Sequence, residues 1–156
     1  MKIKIGLISI IMTMVSCASK TEGDLSKSSS LPIAGTWRLL TGTVTDKDST
    51  VVTDYTKDKS FIKIINDTHF AFLQHDLSKG KDSATAVFVS GGGSYSLTDS
   101  TYTEHLEYCS AREWEGNDFP FTITINNDTL IQSGVEKVEG AGVNRLNTEK
   151  YVRLKK

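Results

Sequence analysis

Short runs of alternating apolar and polar residues fill the chain from Gly35 onward, and most of these runs end at Asp, Asn, Gly or Ser. This period of two is typical of half-buried strands, whereas amphipathic helices repeat their apolar positions every three or four residues. We expect two of the runs to merge across Gly91-Gly92-Gly93, because glycine marks bulges and bends within strands. The pattern predicts ten candidate strands, namely Gly35–Thr43, Thr50–Tyr55, Ser60–Ile65, His69–Gln74, Ala84–Val89, Gly93–Leu97, Tyr102–Cys109, Phe119–Asn126, Thr129–Gly134 and Thr148–Leu154.

The junctions between several of these runs share one turn chemistry. They are Asn66-Asp67-Thr68, Asp99-Ser100 and Asn127-Asp128, and Asp46-Lys47-Asp48-Ser49 is a candidate fourth. Asn and Asp tolerate the left-handed backbone angles that tight hairpin loops need. Successive hairpins about every 8–12 residues predict an antiparallel up-and-down barrel or a sandwich rather than a parallel sheet.

The N-terminus has a different pattern. Lys2 and Lys4 precede twelve uncharged residues, Ile5 to Ser16. This stretch is shorter than the roughly 20 residues that cross a bilayer as a helix, and it fits the about 7–15 residues of a signal-peptide core. The stretch ends in Met14-Val15-Ser16-Cys17, which resembles a bacterial lipobox, where the cysteine receives lipid. The alternative is an ordinary signal peptide that happens to contain a cysteine.

The residues that follow predict a tether. Ala18 to Ser30 contain almost no apolar side chains, so they cannot bury enough surface to offset their ordering entropy. We therefore divide the chain into a signal peptide at 1–16, a lipidated Cys17 with a flexible tether at 17–31, and one barrel domain with a single core at 32–156. The expected location is the bacterial cell envelope, anchored by lipid to the outer membrane, and the leaflet is left open.

Cysteine count and charge narrow the function classes. The chain has two cysteines, and a lipid on Cys17 would leave Cys109 as a free thiol, for which a small buried hydrophobe is a commoner role than a nucleophile. Loss of Lys2 and Lys4 with the signal would leave 16 basic and 19 acidic residues. Because no basic stripe is present, nucleic acid is not an expected partner.

One candidate strand carries aromatic and acidic residues on the same face. Tyr102, Glu104, Leu106 and Tyr108 occupy its even positions, and this more apolar face is predicted to point inward. A buried carboxylate needs a partner. For Glu104 the candidates are Arg153 and the hydroxyls of the neighbouring tyrosines, which are Tyr102, Tyr108 and Tyr151.

The two ends of the domain carry a further pair. Gly35-Thr36-Trp37 opens the first strand, and Glu149, Tyr151 and Arg153 share one face of the last strand. In an up-and-down barrel these strands are neighbours, so Arg153 can lie over the Trp37 indole and close one end of the barrel.

This arrangement resembles the lipocalin or calycin barrel, and more narrowly the lipocalin-like lipoproteins of Bacteroidetes, several of which are domains of unknown function. The other matching segments are Thr68-His69-Phe70-Ala71-Phe72, Gly93-Ser94-Tyr95 and Tyr102 to Tyr108. Members of this group often carry Trp where Tyr151 stands. The resemblance implies an all-β, antiparallel, up-and-down barrel of 8–10 strands, and it implies no established activity.

An enzyme is not the favoured interpretation, because no nucleophile–base pair, metal cluster or cofactor loop is visible. We expect no catalytic residue, no metal ligand set and no cofactor. The favoured function is a lipid-anchored protein that binds a small, mostly apolar molecule in a pocket lined by Tyr102, Glu104, Tyr108 and Tyr151, with Arg153 near its floor. The alternative is a structural or protein-interaction subunit of an envelope complex, with a filled barrel and no ligand. For the Trp114 loop, a lid over the barrel mouth and a plug of one end both remain open.

Overall fold

The computed structural model describes residues 31–155. The predicted signal peptide, the Cys17 lipid site and the tether as far as Ser30 lie outside the described residues. Within that range the chain forms nine strands: β1 Gly35–Asp46, β2 Ser49–Asp54, β3 Lys59–Ile65, β4 His69–Asp76, β5 Phe88–Thr98, β6 Thr101–Cys109, β7 Asp118–Asn126, β8 Thr129–Val138 and β9 Val143–Arg153. Two short 3-10 helices, Arg112–Trp114 and Glu139–Ala141, lie in connections between strands.

The strands form one antiparallel sheet that closes on itself. Each strand from β3 to β9 pairs with its neighbour in sequence, and β9 pairs with β1. On its other edge β1 pairs first with β3 and then with β2, so β2 and β3 together take the place of one strand. The result is a closed eight-stranded lipocalin-like barrel, which confirms the predicted all-β, up-and-down architecture.

One predicted strand, Ala84–Val89, begins four residues too early. The strand β5 begins only at Phe88, and residues 77–87 form a connection. The two candidates on either side of the glycine run do merge, with a register shift between Gly92 and Gly93. The connection is held by Asp76, whose carboxylate accepts hydrogen bonds from the Ser78 hydroxyl and from the backbone N–H groups of Gly80 and Val87. These hydrogen bonds hold the pKa of Asp76 below its usual range.

The tight turns that were predicted from Asn and Asp gather at one end of the barrel. Asp99 and Asn127 adopt left-handed φ values of 54° and 52° in two-residue turns. In the third turn the Asn66 side chain accepts hydrogen bonds from the backbone N–H groups of Thr68 at 2.9 Å and His69 at 2.7 Å. The predicted fourth hairpin joins β1 to β2 at the opposite end, with Lys47 at φ 51°.

The end with the three turns is closed by the first and last residues of the barrel. The Arg153 guanidinium carbon lies 4.0 Å from the centroid of the Trp37 ring. Arg153 also donates hydrogen bonds to the backbone oxygens of Ala34 at 2.6 Å and Pro32 at 2.5 Å, while Trp37 Nε1 donates to Ile33 at 2.8 Å. These contacts tie the segment that enters the barrel to the strand that leaves it. We call this region the closed end.

Glycine is required at the start of β1 by backbone geometry, and it also leaves room for the Arg153 guanidinium. Gly35 has a φ of 146°, a value that residues with a Cβ rarely adopt. A Cβ at this position would also collide with the Arg153 guanidinium. The Gly-X-Trp pattern and the arginine are therefore parts of one structure.

The core occupies the closed half of the barrel and extends into its walls. The buried apolar side chains are Ile33, Trp37, Leu39, Phe61, Ile65, Phe70, Tyr102, Leu106, Phe119, Phe121, Ile123, Leu130, Val138 and Tyr151. Among residues 31–155 there is no helix long and apolar enough to cross a membrane.

Candidate functional site

The sheet has a break in its pairing where β2 and β3 lie one after the other along the same edge of β1. The strand β1 pairs with β3 only from Gly35 to Arg38, and β2 takes over from Thr41 to Asp46. Between them, the first residues of β3 pair with β4 alone. The half of the barrel opposite the closed end therefore contains this break in pairing, and we call it the open half.

A cavity of about 350 Å³ occupies this open half. Its apolar walls come from aromatic and aliphatic side chains on several strands, and seven of the lining residues carry charged or amide side chains. The lining residues are Gly42, Val44, Thr53, Tyr55, Phe61, Lys63, Phe72, Val89, Glu104, Leu106, Cys109, Ala111, Trp114, Phe119, Phe121, Gln132, Glu136, Arg145, Asn147 and Glu149. The volume lies within the about 300–1,000 Å³ of small-molecule sites.

A buried lysine organises the floor of this cavity. Lys63 lies on β3 between the inward-facing Phe61 and Ile65, so strand alternation points its side chain into the barrel. Its Nζ donates hydrogen bonds to Glu104 Oε1 at 2.6 Å and to Gln132 Oε1 at 3.1 Å. A buried charge needs such partners, and Glu104 supplies the opposite charge.

A second carboxylate joins the same network from β9. Glu149 Oε2 accepts hydrogen bonds from Gln132 Nε2 at 2.8 Å and from the Tyr151 hydroxyl at 2.7 Å. It also lies 3.9 Å from Lys63 Nζ. The four cavity-lining members of this network, which we call the polar floor, are Lys63, Glu104, Gln132 and Glu149.

Burial sets the protonation behaviour of the groups at and below the polar floor. Burial raises the pKa of Glu104, while the nearby Lys63 ammonium opposes that rise. Burial also raises the pKa of the Tyr151 and Tyr102 hydroxyls. The tyrosines are therefore neutral, and Tyr151 acts as a hydrogen-bond donor to Glu149.

A separate polar pair lies higher on the cavity wall. Glu136 accepts hydrogen bonds from Arg145 Nε at 2.7 Å and from Asn147 Nδ2 at 2.8 Å. The Arg145 guanidinium carbon lies 5.3 Å from the centroid of the Trp114 ring, which packs against Phe119 at 5.7 Å between ring centroids. Trp114 is thus a wall residue of the cavity, on the connection between β6 and β7.

The predicted pocket residues occupy three different layers of the barrel. Glu104 lines the cavity, as the alternation on its strand indicated. Tyr102 and Tyr151 are fully buried in the core beneath the cavity. Arg153 lies farther away, at the closed end over Trp37. The pairing of Glu104 with Arg153 is not observed, because Lys63 takes that place.

Tyr108 lies outside the barrel, and its predicted inward orientation is wrong. Gly93 pairs with Leu106 and Gly92 pairs with Tyr108, so Glu107 is an extra residue on β6. Such a bulge reverses which face the following residues occupy. Tyr108 is consequently 69% exposed, and Cys109, a free thiol, lines the cavity in its stead.

Sequence reasoning missed most of the polar residues of the cavity. Strand alternation could have identified some of them, because Gln132 and Glu136 share a face of β8 with the buried Leu130. Arg145 and Asn147 were missed because the last strand was predicted to begin only at Thr148, whereas β9 begins at Val143. Within residues 31–155 there is no group of three or more His, Cys, Asp and Glu side chains that could hold a metal ion.

The chain was compared with protein families and with curated proteins. A family model described as a domain of unknown function (DUF4488) matches residues 32–156. A search of curated proteins gave no match.

Proposed function

Because the chain belongs to the DUF4488 family, whose description names no activity, we propose a function from the cavity: the barrel binds a small, mostly apolar molecule. The supporting observation is the cavity of about 350 Å³ itself. A barrel that served only as a rigid body would gain stability by filling this space, because unfilled volume costs packing energy. Apolar walls with a few fixed polar groups are the usual composition of a ligand site.

Two adjacent residues allow a direct test, because Cys109 faces the cavity and Tyr108 faces solvent. We would use the full-length chain with Cys17→Ser, so that Cys109 is the single thiol. The matched control adds Tyr108→Cys and Cys109→Ser, which moves the thiol one residue along the strand and to the other face. The probe is N-phenyl-1-naphthylamine, a neutral apolar molecule.

Bound probe is expected to slow the reaction of Cys109 with N-ethylmaleimide, because both would occupy the same cavity. The thiol at position 108 should react at the same rate with and without the probe. Equal rates at Cys109 with saturating probe would contradict binding in the cavity.

We also propose that Cys17 anchors the protein to a membrane of the bacterial envelope, with the outer membrane as the expected location. The proposal is supported by the order of the charged N-terminus, the short apolar stretch and the lipobox-like Met14 to Cys17. In the source bacterium, Cys17→Ser should move the protein from the detergent phase to the aqueous phase. The control Cys109→Ser should stay in the detergent phase, and continued partition of Cys17→Ser into detergent would contradict the anchor.

One observation favours the second candidate function, interaction through the outer surface. Ile64, Ala71, Gly92 and Tyr108 form one row across β3 to β6, and Ile64 and Tyr108 in this row are exposed apolar side chains. A photo-crosslinking residue at position 108 should then capture an envelope protein in cells. The same residue at Thr124, exposed on β7, is the matched control, and equal capture at both positions would count against a specific surface.

A further inference from the structure

We infer that the apolar molecule held in the cavity ends in a protonated amine, and that Glu149 and Glu104 of the polar floor bind this amine. The inference rests on the proposed binding function and names the chemical class of its ligand. It is carried by the balance of charges around the cavity and by which charged atoms the cavity exposes.

The polar floor contains one more carboxylate than it has cations. The single Lys63 ammonium lies 2.6 Å from Glu104 and 3.9 Å from Glu149. The cation on the cavity wall does not correct this imbalance, because Arg145 is paired with Glu136 at 2.7 Å. Two carboxylates therefore share one ammonium in a buried site, where uncompensated charge is costly.

The side chains that a ligand would meet at the polar floor are the carboxylates. The Lys63 side chain is only 3% exposed, whereas Glu104 is 9% and Glu149 is 15% exposed. An ammonium group has three donors, and Lys63 already uses two of them on Glu104 and Gln132. A carboxylate ligand would thus approach two like charges, while an ammonium would find acceptors of opposite charge.

The more exposed carboxylate is also held in a fixed position. Glu149 receives hydrogen bonds from Gln132 and from Tyr151, which come from two different strands. An acceptor fixed in this way does not need to be ordered when a ligand arrives, which saves part of the cost of binding.

The wall above the polar floor suits the same ligand. Five aromatic residues line the cavity in addition to Trp114, and the rings of Phe61 and Phe72 stack at 5.8 Å. Aromatic ring faces attract cations and also pack against hydrocarbon. The five are Tyr55, Phe61, Phe72, Phe119 and Phe121.

A matched series of eight-carbon molecules tests the head group alone. Octylamine, octanol and octanoate would be titrated by calorimetry into the full-length chain with Cys17→Ser. We expect octylamine to bind at least about tenfold more tightly than octanol, since hydrogen bonds between charged groups are stronger than those of a neutral hydroxyl. Octanoate should bind most weakly.

Glu149→Gln removes the charge and keeps the size of the side chain. It should bring the affinity for octylamine close to that for octanol and leave octanol unchanged. A purely structural role of Glu149 would instead change both affinities together. The control Glu113→Gln, on an exposed residue of the connection between β6 and β7, should change neither.

The outcomes separate this inference from the binding function beneath it. Equal affinity for the three molecules, or tightest binding of octanoate, would overturn the amine inference and leave apolar binding intact. Protection of Cys109 by N-phenyl-1-naphthylamine without octylamine binding would do the same. Absence of both would overturn the binding function as well.

Discussion

The closed and open halves of this barrel share their strands apart from β2, which lies only in the open half, and a polar layer of side chains separates them. On each of four strands, an apolar residue or tyrosine that points into the closed half is followed, two positions farther toward the open half, by a polar residue. The pairs are Ile65 and Lys63 on β3, Tyr102 and Glu104 on β6, Leu130 and Gln132 on β8, and Tyr151 and Glu149 on β9. Below this boundary the interior is packed, and above it lies the cavity.

A cavity with a polar floor can therefore lie within a barrel whose strand order is regular. The closed half supplies stability through burial and through the Trp37–Arg153 contact. The open half stabilises the fold less, because its polar floor contains buried charges and the side chains that line its cavity lack packing partners on one side. Substitutions in the two halves should therefore have different costs.

The largest effect is expected from Lys63→Met. It leaves Glu104 buried without its counter-ion, and loss of one partner of a buried ion pair costs about 3–5 kcal/mol. Urea unfolding of the variant measures this cost. The double variant Lys63→Met with Glu104→Met is expected to be more stable than the single one, because no charge is then left unpaired. A double variant as unstable as the single one would contradict the pairing.

The loss of stability caused by Lys63→Met, which we call the deficit, should also depend on pH in a defined direction. Burial raises the pKa of Glu104, and Lys63 is the main group that lowers it. Without Lys63, the folded protein has a raised pKa for this acid, so ionisation of Glu104 favours unfolding. The deficit is then small near pH 4 and grows toward about pH 8, above the usual range of glutamate. A deficit that shrinks as the pH rises would exclude this explanation.

One pair of identical substitutions compares the two halves directly. Leu39 lies in the packed layer of the closed half, and Leu106 lines the cavity. Leu39→Ala should cost about 3–5 kcal/mol, and Leu106→Ala about 2 kcal/mol, since one side of Leu106 already faces empty space. Thermal and urea unfolding measure both. Equal losses would mean that the cavity is filled by collapse of its walls.

A smaller effect is expected from Arg153→Ala at the closed end. It removes the stacking over Trp37 and the two hydrogen bonds to the entering segment, with a loss of about 1–2 kcal/mol. The control is Arg112→Ala, an exposed arginine paired with Glu115, whose loss should stay below about 1 kcal/mol. Equal losses for the two arginines would remove the special role of the closed end.

The smallest effect is expected from Tyr108→Thr. The side chain lies outside the barrel, and threonine retains the preference for a strand, so the change should stay within about 0.5 kcal/mol. A loss typical of a core residue in the same unfolding assay would mean that Tyr108 points inward and that the bulge at Glu107 is misplaced.

Most of the fold could be predicted because its signals are local. Alternation marks the strands, and the Asn and Asp turns fix the hairpins. The contact between Trp37 and Arg153 could also be predicted, since closure of an up-and-down barrel makes the first and last strands neighbours. The connection at 77–87 was not predicted, because the Ala84–Val89 segment, which begins within it, has the composition of a strand. Asp76 organises the connection through hydrogen bonds from backbone N–H groups.

The site was harder to predict because its contacts depend on register between distant strands. Lys63 stands in an apolar run, and its partner Glu104 is 41 residues away. Nothing in either strand alone selects the other. The orientation of Tyr108 failed for a related reason, since the bulge on β6 is set by its pairing with the glycine run on β5.

The interruption of the second strand also predicts how the barrel exchanges its backbone hydrogens with solvent. Among residues 31–155, the strand β2 has a partner on one edge only, so its outward N–H groups have no inter-strand partner there. Its pairs with β1 can open without breaking the closed end. Amide exchange should be fastest along Ser49–Asp54 and slowest in β9, which is paired on both sides. The side of the barrel that opens most often is then the side beside the cavity, where Thr53 and Tyr55 form part of its wall.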